Sequence, residues 1–356
     1  MSVYVYVGSY TEPSAGSGEG ISVYRFDPAS GGLTLVQTVG DVANPSFLAL
    51  GAGERCLYAV EELDEGCVSA FARDAETGRL TFLNRQASGG AAPCYVSLDG
   101  SGRYALVANY GDGTVAALPI AADGRLEPAT GVVRHEGSSV DPERQAGPHA
   151  HMIAPTPDGR LLLVTDLGTD RILVYRLDDD TGRLLPNDRG PSSVEAAPGA
   201  GPRHFAFAPN GRRVYVINEL ASTLTAYDYD PRSGEMRARQ PLSTLPDGFH
   251  GESTCAHVAV PPDGRFVYGS NRGHDSLAIF SVDPASGELT PVGHQPTGGK
   301  DPRNFAIDPT GYWLLAANQR SDTILTFRRD ADAGTLAATE LVTRTGSPVA
   351  IVFAGG

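Results

Sequence analysis

Arg203 and Glu219 lie near the two ends of residues 201–219, Gly-Pro-Arg-His-Phe-Ala-Phe-Ala-Pro-Asn-Gly-Arg-Arg-Val-Tyr-Val-Ile-Asn-Glu. A cation and a carboxylate held together can bind an anion, steady an oxyanion and move a proton. The stretch reads as a β-hairpin that brings them together. Phe205 and Phe207 alternate with small residues in a first strand. Pro209-Asn210-Gly211 is turn chemistry, because Pro fixes φ while Asn and Gly tolerate positive φ. Val214, Tyr215, Val216 and Ile217 make a second strand. Related groups stand at related places elsewhere. Gly147-Pro148-His149-Ala150-His151 offers two imidazoles, His204 follows Arg203, and His257 takes the equivalent place in a later copy. Arg272 and His274 follow a later second strand, Asp301-Pro302-Arg303-Asn304 brings another guanidinium, and Gln319 follows its hairpin. Arginines suit phosphate and carboxylate, which their planar fork binds in bidentate fashion. A histidine titrates near neutrality and suits a general base. Glu219 is a second candidate base, although neighbouring arginines lower a carboxylate's pKa; His149 or His151 as base with Glu219 as its orienter is the alternative.

The elements that must position these groups repeat. The hairpin turn recurs as Asp99-Gly100-Ser101-Gly102, Pro157-Asp158-Gly159, Pro262-Asp263-Gly264 and Pro309-Thr310-Gly311, with a weaker copy at Gly51-Ala52-Gly53. An apolar strand follows each, and four of these strands end in Asn109, Asn218, Asn271 and Asn318, with Asp166 in a fifth. A second marker is an acidic residue, a short turn with Gly, then Leu or Met. Its copies end at Leu33, Leu80, Leu126, Leu184, Met236, Leu289 and Leu336, spaced by 47, 46, 58, 52, 53 and 47 residues. A period near 50 holding four short alternating strands is a β-propeller blade, and seven markers mean seven blades. The expectation is an all-β fold: a seven-bladed β-propeller with four antiparallel strands per blade, one domain over residues 1–356. Residues 348–353 lack a following hairpin and residues 3–8 lack a preceding strand, so the C-terminal strand is expected to close the ring as the innermost strand of the first blade.

Blade topology puts the start of each innermost strand, the end of the next strand and the connection from the previous blade on one face. Three of those connections are long, residues 134–148, 187–201 and 241–254, and they precede blades four, five and six, where the charged residues gather. Glu219 and Arg272 stand where other copies carry Tyr110, Leu167 and Gln319, a departure from the internal repeat. The recurring Asn residues read as turn caps. Buried, hydrogen-bonded roles also suit His204 and His257, and a blade-to-blade ion pair suits Arg303. The His-x-His of blade four has no evident third ligand, so no metal and no cofactor are expected.

Whole-chain properties exclude several classes. The 356 residues carry a formal charge of −14, with 41% hydrophobic and 20% charged residues. That is globular and acidic, against a general basic field for nucleic acid or an anionic membrane. No run reaches a transmembrane length, and the first residues lack a signal-peptide pattern, giving a cytoplasmic expectation. Cys56, Cys67, Cys94 and Cys255 have no CxxC spacing; Cys56 and Cys67 could face each other across one hairpin, but reduced thiols are expected. Trp313 is the single tryptophan and no Trp-Asp pair exists, against a WD40-type scaffold.

Five segments carry a resemblance to a known family: Gly147-Pro-His-Ala-His151, Gly201-Pro-Arg-His-Phe205, Val216-Ile-Asn-Glu219, Ser270-Asn-Arg-Gly-His-Asp-Ser276 and Pro302-Arg-Asn-Phe-Ala-Ile-Asp-Pro309. In order and in blade placement the chain resembles the lactonase family of seven-bladed propellers. The resemblance implies hydrolysis of a sugar-acid δ-lactone, above all 6-phosphogluconolactone, as a small anionic substrate in a monomer or weak homo-oligomer. A fungal branch that lactonises carboxymuconate resembles it as well, which leaves a cycloisomerase as the alternative activity and a non-catalytic binding propeller as a third reading. Its His, two Arg and Glu carry over to His149 or His151, Arg203, Arg272 and Glu219 as catalytic candidates, with His204, His274, Arg303 and Gln319 as substrate-binding candidates.

Overall fold

The computed structural model describes residues 2–239 and 241–355. They fold into seven antiparallel sheets arranged as blades. The innermost strands are Pro348–Ala354, Leu48–Leu50, Pro93–Leu98, Ala150–Pro155, Pro202–Phe207, Thr254–Ala259 and Pro302–Ile307 for blades one to seven. Each packs on the innermost strand of the next blade, and Pro302–Ile307 packs on Pro348–Ala354, so the ring closes. The closing strand pairs with Val3–Ser9, with Val5 opposite Phe353 and Val7 opposite Ile351.

The local reasons are those of the repeat. In blades three to seven the inner turn is closed by a glycine amide, as where Gly211 N–H donates to the Ala208 carbonyl at 2.9 Å, whereas in blade two the Glu54 amide donates to the Gly51 carbonyl. Gly211 has φ +65°, a conformation that L side chains rarely adopt. The second marker works through its acid: Asp74, Asp178, Asp230, Asp283 and Asp330 each accept backbone amides of the turn that follows. The marker's apolar residue then stands at the start of the outer strand, one place after Gly32 in blade one, except that Leu126 makes only an isolated bridge with Ile120 before the outer strand Gly131–Arg134.

The core lies between blades. Fully buried tyrosines of one blade reach turn carbonyls of the next: Tyr6 donates to Gly78, Tyr58 to Gly124 and Tyr268 to Gly334. An aromatic ring that buries large area and still satisfies its hydroxyl both glues and aligns the sheets. The repeating asparagines do similar work at the mouth end of the second strands. The Asn109, Asn271 and Asn318 amides donate to the Ser88, Thr244 and Thr297 carbonyls at the end of the preceding blade.

Two expectations change. The long connections before blades five and six are not wholly loop, since Ser193–Glu195 and Leu242–Ser243 return to pair with the third strands of blades four and five. Cys56 and Cys67 do share a hairpin, but Cys56 is opposite Ala72 and Cys67 opposite Glu61, at its two ends; all four cysteines are free.

Candidate active site

The mouth of the channel is built from two rings of positions. One is the end of each second strand: Tyr10, Glu62, Tyr110, Leu167, Glu219 and Gln319 directly follow it, and Arg272, one place after Asn271, is the last residue of its strand. The other lies in the innermost strands. Register shifts between Pro93 and Tyr95, Ala150 and Met152, Pro202 and His204, and Pro302 and Asn304 make Cys94, His151, Arg203 and Arg303 the extra residue of a bulge. A bulge re-aims a side chain that strict alternation would direct elsewhere. The pairing of Ala150 with Asp166 puts His151, not His149, at the place of Arg203. The pairing of Cys255 with Asn271 puts His257 at the place of His204, as expected.

Arg203 and Glu219 meet as the hairpin requires, Nε to Oε2 at 2.8 Å. Arg272 Nη2 lies 2.9 Å from the same oxygen, and Arg144 Nη2 lies 2.6 Å from Oε1. Glu219 is 5% exposed and Arg203 2%. Burial pushes the Glu219 carboxyl up, but Arg272 and Arg203 outweigh it and hold it well below the usual carboxylate range. Arg203 also donates to the Ala256 carbonyl, and Arg272 to the Cys255 carbonyl, so neighbouring backbone fixes both forks. The Arg272 Nε has no partner among the described residues.

Arg144 is the residue that sequence reasoning missed. It comes from the long connection before blade four, where Asp141 caps its turn through the amides of Glu143 and Arg144. Its Nη2 also donates to the Tyr110 hydroxyl at 3.2 Å. The available signal was a cation inside the first long connection at the mouth.

His149 stacks on Tyr110 with ring centroids 4.5 Å apart. Its Nδ1 lies 2.7 Å from the Tyr110 carbonyl. A carbonyl only accepts, so Nδ1 carries a proton and neutral His149 has its lone pair on Nε2. Glu219 hydrogen-bonds neither His149 nor His151, so the orienter expected of it is the Tyr110 carbonyl instead. Asp166 holds the backbone beneath: its Oδ1 accepts the amides of His149 and Thr169, and its Oδ2 lies 2.6 Å from Nδ1 of buried His135. His135 occupies the place of Ser88, Thr244 and Thr297 in other blades, and Asp166 the place of their asparagines. Gly168 gives His149 its room, since a Cβ there would stand 1.9 Å from the Gly147 carbonyl oxygen and 2.9 Å from His149 Cδ2.

The other imidazoles sit deeper. His151, His204 and His257 stack edge to face, 5.1 and 5.2 Å apart, with His204 and His257 joined Nδ1 to Nδ1 at 2.9 Å. Burial, and then the charge of Arg203, push all three below the ordinary histidine range, His257 to about 3. Arg303 stands with its guanidinium carbon 5.3 Å from the Tyr10 ring centre. Gln319 follows the second strand of blade seven, and its backbone N–H donates to the Asp301 carbonyl. His274 is not brought to the charged cluster: Nδ1 meets Ser276, and its ring packs on Phe249 and on His294 of the outer strand.

The geometry has counterparts. A family model described as Lactonase, 7-bladed beta-propeller, matches residues 4–353. A 6-phosphogluconolactonase of Bacillus subtilis is 38% identical over 355 residues, 99% of each chain. A solved structure of a putative 6-phosphogluconolactonase from Bacteroides fragilis superposes with a TM-score of 0.92 at 37% identity, covering 99% of this chain and 98% of that one. A periplasmic gluconolactonase of Pseudomonas aeruginosa superposes with a TM-score of 0.94 at 36% identity, covering 100% and 99%.

Proposed function

The chain belongs to the lactonase family of seven-bladed β-propellers, and we propose that it hydrolyses 6-phospho-D-glucono-1,5-lactone to 6-phosphogluconate. The observation that carries the reading is one buried carboxylate clamped by three guanidiniums beside an imidazole whose basic nitrogen is defined. Glu219 is a weak base in that clamp and serves to fix the arginines. His149 Nε2 takes the proton as water oxygen bonds to the lactone carbonyl carbon. The carbonyl electrons move onto oxygen, where the remaining donors of Arg272 and Arg203 hold the oxyanion. When the tetrahedral intermediate collapses, the ring C–O bond breaks and its oxygen takes the proton back from imidazolium, leaving the open hydroxy acid. The phosphorylated substrate and four unpaired thiols fit a cytoplasmic setting. Among the described residues no helix is long and apolar enough to cross a membrane. The test is turnover of freshly made 6-phosphogluconolactone, corrected for spontaneous opening, by the wild type and His149→Gln. Rates at the spontaneous level for the wild type would refute the activity, and full activity in His149→Gln would remove the base.

A further inference from the structure

Four guanidiniums reach the mouth, and one carboxylate, with a single charge, is shared by three of them. Arg203 and Arg272 meet one oxygen of Glu219 and Arg144 the other. Arg303 occupies the same bulge position as Arg203, two blades further round. Among the described residues no carboxylate lies within 4.0 Å of its guanidinium and no side-chain hydrogen bond reaches it; its recorded partner is the Tyr10 ring. The nearby Glu62 accepts the Tyr10 hydroxyl at 2.9 Å instead. In the ring of bulge positions only Ala256, with a methyl side chain, stands between the two arginines. After burial, the charge of Arg303 is the foremost cause that lowers Arg203, to about 10. Two like charges are thus held by rigid strands: Glu219 is in direct contact with Arg203, while Glu62 acts on Arg303 from beyond hydrogen-bond reach. Arg303 lies over the Tyr10 ring as a cation–π contact, which leaves its N–H donors for a ligand.

We propose that Arg303 is the residue that selects a phosphorylated lactone: its fork takes the 6-phosphate on the blade-seven side of the mouth and so turns the lactone carbonyl toward Arg203, Arg272 and His149. This rests on the lactonase reading above. The test compares freshly made 6-phosphoglucono-1,5-lactone with glucono-1,5-lactone for the wild type, Arg303→Met and Arg303→Lys, each corrected for spontaneous opening. Arg303→Met is expected to raise KM for the phosphorylated lactone roughly 10- to 150-fold, the range for lost hydrogen bonds to a charged group. The wild type's preference for that lactone should collapse by the same factor. Arg303→Lys should recover part of it, as a point charge without the fork. An equal loss on both lactones, or a loss confined to kcat, would overturn the proposal while leaving the lactonase reading in place. A wild type that opens both lactones equally well would do the same, and one that opens neither would sink both. If Arg303→Met does not fold, inhibition of the wild type decides: 6-phosphogluconate must inhibit at least about tenfold better than gluconate, and inorganic phosphate must compete with substrate. Equal inhibition by the two acids would overturn the proposal.

Discussion

Each inner hairpin has a turn end and a mouth end, and the two differ in what they repeat. At the turn end, Gly102, Gly159, Gly211, Gly264 and Gly311 have φ between +65° and +74° and close similar turns through their amides. At the mouth end the matched positions run Tyr10, Glu62, Tyr110, Leu167, Glu219, Arg272 and Gln319. The backbone makes the same demand at every turn, so the residues agree. At the mouth the backbone asks only for a strand end, so the side chain is free to serve a ligand. Scaffold and site are therefore separated by the length of one strand.

The largest effect should come from the centre of the mouth. Glu219→Gln leaves buried Arg203 without its counter-charge, and a stability loss of about 3 kcal/mol is expected, as when one partner of a buried ion pair is removed. With the arginines loosened, kcat/KM should fall about 100-fold or more, the scale of removing one oxyanion donor; urea unfolding and lactone turnover measure the two. His149→Gln should spare stability and lower kcat by about 100- to 10,000-fold, whereas His151→Gln, whose ring faces Cys94, should cost less activity.

Acid should attack the mouth before the turns. His151, His204 and His257 are held below the pKa of about 6.5 that they take in an unfolded chain. Between pH 6.5 and about 3 the unfolded state therefore binds more protons, so stability is full above pH 6.5 and falls as pH drops. The slope should reach at most about 4 kcal/mol per pH unit if all three contribute fully. Glu219, also depressed, adds its loss only below about pH 4.5. Urea unfolding at several pH values checks this, and His257→Asn should flatten the slope by about one-third.

Smaller effects separate the ends further. Gly168→Ala should displace His149 and lower kcat about tenfold, within what a misplacement near 1 Å can cause. Gly211→Ala, at a turn with positive φ, should cost about 1 kcal/mol and leave kcat unchanged; an altered kcat there would break the separation of scaffold from site.

The scaffold was legible because it is written seven times. A turn glycine, an apolar strand and the acid–Gly–Leu marker fix blade number, strand order and ring closure, and the hairpin alone put Arg203 beside Glu219. The clamp was legible only in part. Arg144 reaches Glu219 from a long connection whose path depends on tertiary contacts, so no spacing could pair them. The His135–Asp166 pair was half visible: Asp166 stands in the place of the recurring asparagines, but its partner His135 marks no repeat in the sequence, and their coupling appears only when two blades are packed. His274 looked like a mouth residue by its distance from Arg272, but its hydrogen bond to Ser276 turns it toward the outer strand.

The pairing of Val3–Ser9 with Pro348–Ala354 ties the mouth to the closure of the ring. Val3–Ser9 has its inner partner there, and a strand without such a partner presents a row of open backbone donors and acceptors. Tyr10 directly follows Val3–Ser9, so its contact with Arg303 depends on that closure, and removing Pro348–Ala354 should loosen the mouth together with the ring.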